Sequence, residues 1–525
     1  MTTKPTRYLL LMLALLLCLG GCKWRTDSPG ESTTQAVPSA QGQSAITEPS
    51  QSGGAVVMPS LQGGDMLYPT FAGRDGWGGS KVGLINARGE TVAPRVYDEL
   101  RYVTDAEEAT VTGLLAGRVD PKEEACRWTY YALDGSVLAE PGHAGYMNPL
   151  PGGHYAEIGR TYHEVGGDED TRDLSGGLWD LRENKQVLEP AYGQELSQIA
   201  EDRFFVITRR YDPETWDSVF SDPCIFNAKT GERGPAPEDL GSISTWAMKP
   251  GDLLIPAMSA SERWTWGYVN RDLEWVLTPR YSDASAFDGR DYAIANDKDN
   301  KYYVIASDGT AIYESEDPLT VYGEYVVMER YWNGRSALFQ VKGGECGALL
   351  EPSYTRNVFW LEGGVFAVCD SEAGTTVFRD FTEGKDLCSL NVCYGSVRRI
   401  NENLVEMQTD PYEKVGNEML LFNFRTKREI PVSDWMNCYI ETIGPVVQVY
   451  NYLNYEYDLL DAGGLPLEDT GMGRFGYTGR TSANYGGLPD LLPAYPWVTQ
   501  GLYAGYIDEQ GNWLYRQSKY QGLED

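Results

Sequence analysis

Histidine is almost absent: His143, His154 and His163 are the three in the chain, and no two stand at the short spacing of a zinc motif. Cysteine offers no substitute, because no Cys-x-x-Cys occurs. Basic residues are also scarce, with 44 Lys and Arg against 76 Asp and Glu and a formal net charge of −32. Such a surface repels phosphates, which argues against nucleic-acid binding, since that depends on neutralising them with Lys and Arg. The charge suits either plain solubility or attraction to cations, basic peptides or amino sugars, and does not choose between them. Gly-x-Ser-x-Gly, a phosphate-cradling glycine loop and His-Glu-x-x-His are missing too. No stretch after Ser60 carries a long helical period, so the expected fold class is all-β.

The N-terminus reads as a targeting segment. Lys4 and Arg7 precede an apolar run from Tyr8 to Leu19, which ends on Gly20, Gly21 and Cys22. The run is shorter than the about 20 residues of a membrane span and fits the roughly 7 to 15 of a signal peptide. Leu19-Gly20-Gly21-Cys22 resembles the bacterial lipobox. The resemblance implies that residues 1–21 are a signal peptide cut after Gly21. It also implies that the Cys22 thiol is diacylated (palmitate class), tying the protein to a bacterial membrane outside the cytoplasm, at the cell surface or facing the periplasm. Cleavage removes two basic residues and no acidic one, taking the net charge from −32 to −34. Residues 22–60 are rich in Ser, Thr, Gln, Gly and Pro, the composition of a disordered tether. Seven cysteines remain beyond Cys22; the number is odd, so at least one is free or paired with another chain.

Residues 61–525 are organised by a repeat of about ten to eleven units. Its clearest copy is Gly83-Leu84-Ile85-Asn86, a turn at Gly89, then Val92-Ala93-Pro94 and Tyr97. A second runs Gly177-Leu178-Trp179-Asp180 to Pro190 and Tyr192; a third runs Trp266-Gly267-Tyr268-Val269-Asn270 to Pro279 and Tyr281. The fourth is Gly505-Tyr506-Ile507-Asp508 with Gly511 and Trp513. Weaker copies lie at Tyr130–Gly135, Cys224–Asn227, Tyr302–Gly309, Ala337–Phe339, Leu420–Asn423 and Tyr457–Asp461. Gly89 and Gly511, ten intervals apart, give about 42 residues per unit, the length of a four-stranded propeller blade. Each unit is expected to open on an alternating strand such as Val82–Asn86, turn at a glycine and return on a short strand stopped by its proline. The Tyr that follows then begins a third strand, and a turn at Asp288-Gly289 leads to a fourth.

Aromatic-Gly-aromatic-Ile/Val-Asn/Asp, a Gly turn and Val-x-x-Pro-x-Tyr resemble the WG repeat family of bacterial proteins. The resemblance covers nearly the whole chain after the tether and implies an interaction module, without naming a ligand. Leu84 and Leu178 replace the aromatic in two copies, and the units between Tyr302 and Asp461 have mostly lost the Gly and the Pro-x-Tyr. Eleven units exceed the usual four to eight blades, which leaves one large ring, two rings or an open β-solenoid of hairpins. Gly505 to Tyr520 looks like half a unit that Met66 to Gly79 would complete, so a ring closed by strands from both ends is expected.

Candidate chemistry is sparse. The histidine segment also holds Glu157 and Asp168–Asp170, yet reads better as a polar excursion than as a metal site. Asp168-Glu169-Asp170 and Asp297-Lys298-Asp299-Asn300 lack the glycine and bidentate Glu of a calcium loop, and Ser307 to Thr310 departs from the sialidase Asp-box. Trp179, Trp266, Trp275 and Trp513 sit at repeat positions and are expected to pack between sheets. Trp128, Trp216, Trp246, Trp264, Trp360 and Trp497 fall off the pattern and are candidates for a stacking platform. The expectation is a non-catalytic binding or scaffolding protein, without cofactor, metal or catalytic residue, engaging a protein partner or a cell-envelope glycan. The alternative is a glycan hydrolase using two carboxylates in a propeller channel, a chemistry that dozens of acidic residues leave open.

Overall fold

Alternating apolar residues make strands with one face to bury against the next sheet, and that is what the computed structural model shows. It describes residues 66–518 apart from 72–80, 106–109, 121, 123–124, 164–170, 213–217, 238, 245–248, 250, 263, 330–333, 410–418, 431, 433–437, 444–445, 452, 454–455, 468–496, 501–502 and 508–510. Every element among them is a strand and every ladder is antiparallel; all but two join neighbours in sequence, the exceptions being His143–Ala144 on Ala125–Tyr131 and Ala191–Tyr192 on Thr171–Asp180. Ten sheets result, one of them seven-stranded. In that sheet the long strand Trp275–Ala284 ends one unit and begins the next, because Trp266 faces Tyr281 on one side while Tyr281 faces Asp297 on the other. The described strands therefore form eleven units: 67–97, 99–144, 146–192, 194–235, 240–281, 281–315, 319–353, 356–390, 396–430, 438–460 and 497–518, numbered 1 to 11 below.

Each unit buries one face against the unit before it and one against the unit after it. Phe205, Ile207 and Ile225 of unit 4 pack with Ile255, Ala257 and Val269 of unit 5. Tyr268 and Tyr281 of unit 5 pack with Phe287, Ala293 and Ile305 of unit 6. The same holds at every junction, and unit 11 meets unit 1, where Ala504 and Tyr506 join the cluster of Leu67, Tyr68 and Leu84. The rings of Tyr68 and Tyr506 lie 5.9 Å apart edge to face, and the Tyr506 hydroxyl donates to the Pro69 carbonyl. The arrangement is a β-propeller of one ring. No ladder joins units 1 and 11 among the described residues, so side chains, not backbone, hold the ends together.

Three expectations are corrected. The strand Leu67–Phe71 pairs with Val82–Asn86 in unit 1, and Trp497–Gln500 supplies the neighbour of Tyr503–Ile507, so the two ends do not share a sheet. The aromatic-Gly strand is not the first of its unit, because the return strand Thr91–Tyr97 ends its sheet and Glu99–Thr104 starts another; it is the third strand in units 2 to 10 and the second of the three described strands in units 1 and 11. Pro94 and Pro279 do not stop their strands. They sit inside Thr91–Tyr97 and Trp275–Ala284, where three residues bulge opposite one glycine and spare the proline a ladder bond.

That bulge accounts for the repeat's glycine. A Cβ on Gly267 would stand 2.3 Å from the Leu277 carbonyl oxygen and 3.0 Å from Pro279 N; on Gly83 it would stand 2.9 Å from the Ala93 oxygen. The Asn that follows fixes the next turn: Asn86 Oδ1 accepts from the N–H groups of Arg88 and Glu90 at 2.9 and 3.0 Å, and Asn270 Oδ1 from Asp272 and Glu274 at 2.9 Å each. Gly89 then takes φ of 75°; in unit 5 the same place is held by Leu273 at 64°, whose side chain is inserted into the core between units 4 and 5.

Candidate functional site

Antiparallel order puts two kinds of turn at the same end of each four-stranded unit, those joining first to second strands and third to fourth. His154, Arg182, Glu201 and Asp202 all lie there, at the junction of units 3 and 4. His154 Nδ1 is 2.6 Å from Glu201 Oε1, and Arg182 reaches Glu201 at 3.7 Å, Asp202 at 3.6 Å and Asp180 at 3.6 Å. The Tyr155 hydroxyl donates to Asp202 at 2.7 Å and accepts from Arg182 at 3.1 Å, and burial together with Asp202 raises its pKa. The cluster holds no nucleophile beside its histidine, and each member is another's partner. Its chemistry is that of a cross-unit tie.

Similar ties recur. The Tyr268 hydroxyl donates to Ser285 O at 3.1 Å, that of Tyr292 to Gly323 O at 2.6 Å, and that of Tyr102 to Leu67 O at 3.2 Å. Arg271 donates to the carbonyls of Asp252, Ile199 and Lys249 at 2.8, 3.1 and 2.9 Å. Buried Asp252 accepts from the Gly289 and Lys249 N–H groups, each at 2.8 Å.

One carboxylate pair stands out. Burial raises the pKa of Glu157, with the nearby charge of Glu195 adding to it, while the Tyr146 hydroxyl donates to Glu157 at 3.1 Å. Glu195 is held by Arg209 at 3.2 Å, and Arg209 also donates to Ser218 at 3.0 Å. A carboxyl of raised pKa with a second carboxylate nearby is the raw material of acid–base chemistry. Here both are already engaged by neighbouring side chains.

The remaining sequence candidates fall as follows. Cys22 and Gly21 lie outside the described residues, as do Trp216, Trp246 and Asp168–Asp170. His143 and His163 lie in strands, in units 2 and 3. Among the described residues no group of His, Cys, Asp and Glu has the makings of a metal site. Gly83 and Gly267 stand opposite the bulges that hold Pro94 and Pro279, Gly89 and Gly511 take positive φ in turns, Gly177 and Gly505 lie in strands, Pro190 lies between the strands Lys185–Leu188 and Ala191–Tyr192, Tyr97 and Tyr281 are buried, and Tyr192 is half exposed. Trp179, Trp266, Trp275 and Trp513 pack partly buried against the inter-unit clusters, and Tyr506 is fully enclosed. Trp128 is buried in the core, which removes it from any platform. Trp360 is stacked on Tyr322 at 4.9 Å with Arg399 over its ring at 5.7 Å, so its ring is already engaged. Trp264 is 62% exposed at φ of 55°. Cys126, Cys224, Cys346, Cys369 and Cys388 form no disulfide.

Sequence reading missed the grooves at the turn-bearing end. One of about 700 Å³ runs between units 9 and 10, walled by Asn423, Lys427, Arg428 and Gly463. Another of about 300 Å³ lies between units 6 and 7. No motif announces either, because each is made by turns of separate units.

Residues 266–302 match the family model of the WG containing repeat. No curated protein matches the sequence. Solved structures similar to the chain include Kluyveromyces lactis Hsv2, at 12% identity and a TM-score of 0.25 over 51% of this chain and 98% of that one. BamB from Moraxella catarrhalis is similar at 13% identity and a TM-score of 0.26, over 60% and 91%. The Myceliophteria thermophila Cps50 (Swd1) beta-propeller domain is similar at 11% and 0.20, over 62% and 96%. Likeness this loose carries no argument about activity.

Proposed function

We propose that this chain is a lipid-anchored, extracytoplasmic binding and scaffolding protein without catalytic activity, engaging a protein partner or a cell-envelope glycan. The lipobox-like Leu19–Cys22 and the polar stretch after it place the anchor at one end of the chain and a tether between it and the ring. The observation that carries the reading is a division of labour among polar groups. The clusters that look most like chemistry, His154–Glu201–Arg182 and Glu157–Glu195–Arg209, are engaged by neighbouring side chains. The grooves at the turn-bearing end stay open.

Two experiments test it. Radiolabelled palmitate should enter the wild-type protein and not Cys22→Ala, which should leave the membrane fraction. The full-length protein in detergent, immobilised, should retain purified envelope glycan or one envelope protein and release neither altered. A second reading rests on Glu157, whose raised pKa beside Glu195 suits a glycan hydrolase. Release of reducing ends from envelope glycan by the wild type, and not by Glu157→Gln, would replace the binding reading with that one.

A further inference from the structure

The groove between units 6 and 7 is fixed in shape before anything enters it. Gly289 is pinned by its N–H bond to buried Asp252, and the Tyr292 hydroxyl crosses to the Gly323 carbonyl in the next unit. Val341 N donates to Glu324 O at 2.9 Å, and Ser307 N to Asp291 O at 2.9 Å. Three turn glycines, Gly323, Gly343 and Gly344, have φ between 61° and 79°, and a Cβ on any of them would meet no atom within 4 Å. The turns thus present bare backbone to open space.

Around this space stand two cations and two carboxylates. Arg290, Lys342, Asp291 and Glu324 all line it, together with apolar Ile312. Arg290 Nη1 is 3.3 Å from Asp288, while its Nε is buried and has no hydrogen-bond partner. Among the described residues Lys342, Asp291 and Glu324 form no ion pair, with each other or with Arg290, although all line one cavity. Opposite charges held apart by a preformed gap are satisfied by a guest that carries both signs. A simple anion would meet the field of a chain at −32, and a simple cation would meet Arg290 and Lys342. A guanidinium fork suits a carboxylate, and paired carboxylates suit an ammonium group. The volume of about 300 Å³ is the lower end for a small-molecule site.

We propose that this groove binds a small zwitterion, a free α-amino acid, its carboxylate on Arg290 and Lys342, its ammonium on Asp291 and Glu324 and its side chain against Ile312. The inference goes beyond the binding reading above, adding a small-molecule ligand to the protein partner or glycan proposed there. Calorimetric titration of the full-length protein in detergent with the twenty free amino acids, and with their N-acetyl and carboxamide forms, tests it. The expected result is saturable binding of one or a few free amino acids, with each blocked form weaker by at least about tenfold. Arg290→Gln and the variant Lys342→Gln at the exposed end of its strand should both weaken binding while the circular dichroism spectrum stays unchanged. Absence of saturation with every free amino acid, equal binding of blocked forms, or undiminished binding by both variants overturns the proposal. If amino acids fail while envelope material is still retained, this site assignment falls alone; if both fail, the binding reading falls with it.

Discussion

Replacing Gly267 by Ala adds one methyl group at the place where the repeat tolerates it least. Its Cβ would lie 2.3 Å from the Leu277 oxygen and 3.0 Å from both Pro279 N and Thr278 C, all backbone atoms. No rotamer change relieves this, so the bulge must open by roughly 1 Å, and overpacking of that kind costs about 1 to 3 kcal/mol. With an unfolding entropy of about 2.1 cal/mol/K per residue over the roughly 360 described residues, 2 kcal/mol lowers Tm by only about 3 °C. Local exchange is therefore the sharper assay. A 2 kcal/mol loss speeds amide hydrogen exchange about 30-fold where it is governed by opening of that unit, so peptides spanning Leu254–Ser259, Trp266–Asn270 and Trp275–Ala284 should lose protection. Gly347→Ala is the control, since a Cβ there meets nothing within 4 Å and its φ is not positive. Removing chain entropy from the unfolded state should leave it neutral or stabler by about 0.4 to 1 kcal/mol. Equal protection in the two variants would refute the account of the repeat glycine.

Three further outcomes follow from the same structure. Burial raises the pKa of Glu157, so the folded state holds that proton more tightly than the unfolded chain, and its contribution to stability is lost as pH rises through the folded pKa. Glu157→Gln should accordingly raise Tm at neutral pH and leave it unchanged in acid; a lower Tm at neutral pH contradicts this. Tyr268→Phe removes the bond to Ser285 O across units 5 and 6 and should cost about 1 kcal/mol, read by urea unfolding. Burial pushes the Cys369 thiol up to about 12 and that of Cys126 up to about 11. Neither should react with a thiol reagent at pH 8 until denaturant is added, whereas rapid native labelling of Cys369 would show the junction of units 8 and 9 to be open.

Period and composition made the all-β repeat legible, because a glycine opposite a bulge, an Asn capping a turn and a Tyr at an interface each demand a particular residue. The repeat copies fall on the third strand of units 2 to 7, 9 and 10, and on the second of the three described strands in units 1 and 11. The corresponding strand of unit 8, Thr375–Asp380, is not legible in the sequence because its unit keeps neither the glycine nor the proline. Sequence misplaced the unit boundary, since the break between Tyr97 and Glu99 changes sheet without a long loop to mark it. It also paired the chain ends in one sheet, where packing of Tyr68 on Tyr506 does the closing. His154 could be named from sequence, but its partner Glu201 could not, because 47 positions and a unit junction separate them. The grooves were invisible for the same reason: their walls come from turns whose residues follow no shared motif.

Ring closure is the claim on which the rest depends, and a distance between the first and last units tests it most directly. Nitroxides placed by unnatural amino acids at Arg88 and Asn512, exposed turn residues of units 1 and 11, would report it by electron double resonance. Adjacent sheets pack about 10 Å apart, so a closed ring predicts a separation of roughly 30 Å or less including the labels. An open stack of eleven units would hold the two labels about 100 Å apart, beyond measurable coupling, and would contradict the ring.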